Sequence, residues 1–70
     1  RSEAAIAQLI ADAVDAGQFA PGDAPKQRAS RLAALIDGVA IRVYGEAGRW
    51  SHRRAIAVID EFVDEWAARA

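Results

Sequence analysis

Few side chains in this 70-residue sequence could do chemistry, and the first to weigh is its single histidine, His52. An imidazole can ligate a metal or move a proton near neutral pH. His52 falls near the middle of an apolar helical arc, yet no second histidine, no cysteine and no convergent carboxylate accompanies it, so no zinc-site spacing can be assembled. Its place in the first turn of a helix leaves it a way to solvent. The expectation is a structural histidine and no metal site.

The carboxylates come next. Asp60, Glu61, Asp64 and Glu65 cluster, but they share a polar face with Arg53 and Arg54, which is the pattern of a solvated helix face. Asp37 lies at the edge of an apolar face beside Gly38. It either meets a donor across an interface or is solvated or paired within the chain, and only tertiary contacts decide between these. No Ser-His-Asp grouping, phosphate-binding glycine loop or nucleophile elbow exists in the chain. The sequence therefore predicts no enzyme and no cofactor.

Bulk properties narrow the classes further. Hydrophobic residues are 53% and charged residues 27% of the chain, which is too apolar for intrinsic disorder. Net charge is −1 with both signs interleaved, so this stretch offers no electrostatic footprint for nucleic acid. No apolar run reaches the roughly 18 residues of a membrane span and no signal segment opens the chain, which predicts a cytoplasmic protein with no membrane contact. Methionine is absent and the first residue is Arg, so more chain is expected upstream. The Ala- and Arg-rich usage without Asn or Thr fits a bacterial source. Seventy residues without cysteine support only a marginal core, so oligomerisation or further chain is the expected brace.

The elements that must carry these side chains are helices. Gly and Pro break the chain at 17–25 and again at Gly45 and Gly48, leaving three Ala-, Leu- and Arg-rich segments of about 15, 20 and 18 residues. The class is all-α, with helices at about 2–16, 24–44 and 52–69. Ser2 is the expected N-cap of the first, Asp23 of the second and Ser51 of the third, while Gly17 is suited to a left-handed stop. Pro25 is tolerated in a first turn. In the first helix Ile6, Leu9, Ile10, Ala13 and Val14 fall within an arc of roughly 140°. Phe19, alone in the polar loop, is expected to pin that loop to the core.

The second and third helices carry wider apolar arcs, each roughly 180°, which is more than a three-helix unit with each helix touching two others would cover. Another chain, or more of this one, is expected to cover the remainder. Gly38 in mid-helix costs about 0.5–1 kcal/mol relative to alanine, and close approach of another helix is the expected reason.

Three stretches in succession, AVDAGQFAPGD, RLAALIDGVAIRVY and WSHRRAIAVIDEFVDEWAA, resemble the C-terminal end of TetR-family transcriptional regulators. The positions that carry the resemblance are Gly17, Phe19, Pro21, Asp37 and Gly38. The resemblance implies that residues 1–70 are the C-terminal fragment of a ligand-binding and dimerisation domain, with the DNA-binding helix-turn-helix absent from this chain. It also implies that the last two helices pair with the same two of a second subunit as a four-helix bundle. A homodimer is then the expected assembly, operator DNA being bound through the missing domain. Ligand entry would shift the population between two dimer geometries.

On that footing the arc through Ala34, Asp37, Gly38 and Ile41 is assigned to the partner subunit, together with Ile56, Ile59, Val63 and Ala67 of the third helix. Ile6, Ile10 and Leu32 are the candidates for the wall of a pocket that takes a small apolar effector. The competing reading is a free-standing helical module that dimerises or docks on another protein.

Overall fold

The computed structural model describes residues 2–45 and 49–69, and these form three helices: α1 Glu3–Asp15, α2 Pro25–Tyr44 and α3 His52–Asp64. The all-α class expected from the spacing is observed. Each end has a local cause. Ser2 Oγ accepts from the Ala5 amide at 3.2 Å and caps α1. Gly17, at φ 78°, ends it, with its own amide donating to Val14 O and that of Gln18 to Ala13 O, the paired bonds of a Schellman stop.

The start of α2 differs from expectation. Ala24 occupies the N-cap and provides no side-chain cap, with Pro25 in the first turn. Asp23 instead pairs with the Arg31 guanidinium, whose hydrogen bond and charge hold its carboxyl below the usual carboxylate range. A charged partner two turns along the helix outcompetes the backbone amides for this carboxylate. Gly45 ends α2 where a Cβ would sit 2.3 Å from Ile41 O, so no larger residue fits without moving the backbone.

Ser51 caps α3 as expected, accepting from the Arg54 amide at 3.1 Å. The helix stops at Asp64, five residues short of the predicted end at 69. The reason is tertiary. Ala20 N donates to Trp66 O at 2.8 Å and Ala68 N to Gln18 O at 3.0 Å, an antiparallel bridge that takes the tail out of helical pairing. Phe19 and Trp66 meet edge to face at 5.7 Å on that bridge, so Phe19 does pin its loop, with the C-terminal tail as its partner.

Both α1 and α3 lie against α2 and not against one another, so the expectation that each helix touches two others does not hold. The core is thin. Ala7, Ile10 and Ala29 form one cluster, flanked by Ile6, Phe19 and Trp66, while Val39 and Ala55 are buried on the α2–α3 side. No large side chain among the described residues is fully buried. The predicted face of α1 is turned: Ala7 is buried, whereas Leu9, roughly 100° around from Ile10, is 69% exposed. The result is a slab of 40 × 26 × 15 Å, little thicker than one helix with its side chains.

Candidate interaction face

A slab this thin exposes apolar side chains that a thicker domain would cover. Ile41, Tyr44 and Ile56 are each more than half exposed, and Ile36 is 38% exposed. They come from the wide arcs of α2 and α3, so the unpaired surface predicted from the sequence is present in the folded chain.

A groove of about 440 Å³ lies between the end of α2 and the start of α3, lined by Gly38, Ile41, Arg42, Arg49, Trp50 and Arg54. The connection between the helices builds it. Arg49 N and Trp50 N both donate to Arg42 O, at 3.0 and 3.2 Å, which folds the chain back onto the last turn of α2. Trp50 is half-buried, with two guanidinium groups over its ring, Arg54 at 4.5 Å and Arg42 at 5.9 Å from the centroid. The groove thus has an apolar floor and a cationic rim, a surface fitted to an apolar body carrying negative charge.

The residues assigned from the sequence fall on more than one flank. Ala34, Asp37, Gly38 and Ile41 are all exposed on α2, and Gly38 and Ile41 belong to the groove. A Cβ on Gly38 would meet nothing within 4 Å, so no helix of this chain explains that glycine. Asp37 stands exposed, bordering a shallow hollow with Ile6, Ala33 and Ile36.

On α3, Ile56 is exposed while Ile59 and Val63 are half-buried; Ala67, assigned to the third helix from the sequence, lies instead past its end, half-buried in the tail bridged to Phe19. Ile56 lies roughly 200° around the helix from Arg54, on the flank away from the groove. Gly38 and Ile41 thus line the groove, whereas Asp37 borders the hollow beside α1 and Ile56 lies on the far flank of α3.

Of the expected effector-pocket residues, Ile6 borders the hollow between α1 and α2, Ile10 is 4% exposed inside the core and Leu32 is half-buried on α2. His52 is exposed, with its Nε2 2.6 Å from Tyr44 Oη and the two rings edge to face at 5.5 Å. That contact ties the start of α3 to the end of α2. Among the described residues no group of His, Asp or Glu could hold a metal ion, and no helix is long and apolar enough to cross a membrane.

The sequence reading missed Arg28. It is 6% exposed, donates through Nη2 to Ala20 O at 2.8 Å and lies over the Trp66 ring. Nothing in the periodicity marks it, because an arginine at the edge of an apolar arc ordinarily reaches solvent.

The model of one protein family, described as BetI-type transcriptional repressor, C-terminal, matches residues 1–68. Neither the search of curated proteins nor that of solved structures returned a match.

Proposed function

Because the chain belongs to the family of BetI-type transcriptional repressor C-terminal domains, we propose that it is the dimerisation and effector-pocket portion of a TetR-like bacterial transcriptional regulator. DNA binding in this reading resides in an N-terminal part outside residues 1–70, and this portion holds two subunits together in the cytoplasm. The effector is small and apolar, walled in part by Ile6 at the hollow between α1 and α2 and by the half-buried Leu32 of α2.

The observation that carries the dimer is the thinness of the slab. With Ile10 and Val39 the only buried apolar side chains larger than alanine among the described residues, the chain gains little from internal burial, while Ile41, Tyr44 and Ile56 stay in water. A second copy removes part of that surface from water. The free-standing interaction module predicts the same surface, and what favours the regulator is the family match over nearly the whole chain.

Sedimentation of the chain over a dilution series, with helicity followed in parallel, tests the reading. A helical dimer that loses helicity as it dissociates is the expected result. A compact helical monomer at every concentration would remove the dimerisation role.

A further inference from the structure

The charges of α3 are laid out against the preferences of an isolated helix. Arg53 and Arg54 occupy its first turn, where the positive end of the helix dipole disfavours cations. Asp60, Glu61, Asp64 and Glu65 crowd its last turns, where the negative end disfavours anions. Asp60 with Asp64, and Glu61 with Glu65, are also like-charge pairs one turn apart. All six are exposed, and among the described residues the ion pairs are Arg31–Asp23 and Arg69–Asp64, so only Asp64 of the six has an opposite charge in contact. A layout unfavourable to the single helix on each local count points to a partner that reverses the sign of those terms.

A second α3 lying antiparallel does so, because it sets the basic end of each helix over the acidic end of the other. The spacing supports it. Glu61 is seven residues from Arg54 and Glu65 eleven, which places both within roughly 20° of Arg54 around the helix, with Val58 between them. That line is its own complement under a twofold axis passing beside Val58. It borders the groove, whose rim adds Arg42 and Arg49 to the basic end and whose floor includes Gly38 and Ile41.

We propose that this flank of α3 pairs with its own copy about a twofold axis. Arg54 of each subunit meets Glu61 of the partner subunit, and the arginine-rimmed groove receives the acidic end of the partner's α3. The proposal rests on the dimerisation reading above and adds to it the flank, the direction and the pairing.

Mixing complementary variants tests it. In Arg54→Glu both contacts become acid against acid, and in Glu61→Arg both become base against base, so each variant alone associates about tenfold or more weakly than the unsubstituted chain. An equimolar mixture forms a heterodimer in which both contacts are again of opposite sign, and its affinity returns to within about threefold of the original. The Arg53 and Asp60 line has the same signs and spacing on the Ile56 side, and Arg53→Glu with Asp60→Arg is the control expected to show neither loss nor rescue.

A mixture no tighter than its components, or a response confined to the control pair, overturns the proposal while the dimer itself stands. An unsubstituted chain that never dimerises removes the dimerisation reading instead. Should a variant lose helicity, the unsubstituted dimer decides alone: its dissociation constant rises with NaCl if opposite charges meet across the interface, and a flat dependence sinks the proposal.

Discussion

The Arg28 guanidinium lies 5.6 Å from the Trp66 ring centroid while its Nη2 donates to Ala20 O, so one buried side chain ties the start of α2 to the loop after α1 and to the tail after α3. Because α1 and α3 do not touch, this junction and the Phe19–Ala67 bridge are what close the slab at that end. Replacing Arg28 by methionine keeps its apolar stem and removes the charged donor and the cation–π contact, which should cost about 2–4 kcal/mol. Chemical denaturation followed by circular dichroism measures it. A loss under half a kilocalorie would show that the junction holds without the guanidinium. Gly22→Ala is expected to disturb the same contact, since a Cβ there would lie 2.8 Å from Arg28 Nη2.

The stop of α1 depends on the left-handed backbone at Gly17. Gly17→Ala places a Cβ in a region that disfavours it and should lower stability by about 1–2 kcal/mol, although no neighbour lies within 4 Å of that Cβ. Comparing melting curves of Gly17→Ala with those of Ser2→Ala, expected to lose about 1 kcal/mol through its cap, checks both ends of one helix.

Gly38 separates the monomer from the assembly. Open space surrounds it in the single chain, so Gly38→Ala should raise helix stability by about 0.5–1 kcal/mol when the chain is dilute. If the α2 stripe meets a second copy closely, the same substitution weakens the dimer. Helicity at low concentration and dissociation constants at high concentration should therefore move in opposite directions, and a change of the same sign in both would place Gly38 outside the contact.

Asp23 supplies the pH dependence. Its carboxyl is lowered in the folded chain, first by the hydrogen bond from Arg31 and then by its charge. A carboxyl whose folded value lies below its unfolded one contributes stability that is present above the unfolded value and is lost as pH falls through the folded one. Acid unfolding of Asp23→Asn should consequently lack a small component present in the unsubstituted chain, and the two should differ little at neutral pH because the pair is exposed. Identical acid profiles would show that Arg31 adds nothing to stability.

Much of this molecule is written in local signals. Three helices, the caps at Ser2 and Ser51, the glycine stop at Gly17 and the surplus of apolar arc on α2 and α3 follow from residue type and period, because each depends on neighbours within one or two turns. The family resemblance rests on the same local succession. What needed the tertiary structure was every choice between competing partners. Asp23 takes Arg31 over the α2 amides, Phe19 and Gln18–Ala20 draw the tail out of α3 at Asp64, and Arg28 is buried under Trp66. The division of the assigned interface between the groove flank and the Ile56 flank belongs here too, for a helical wheel shows which residues share a side and not which neighbour takes it. Period is a property of one helix, whereas burial is a property of what lies against it, and only the folded chain brings those surfaces together.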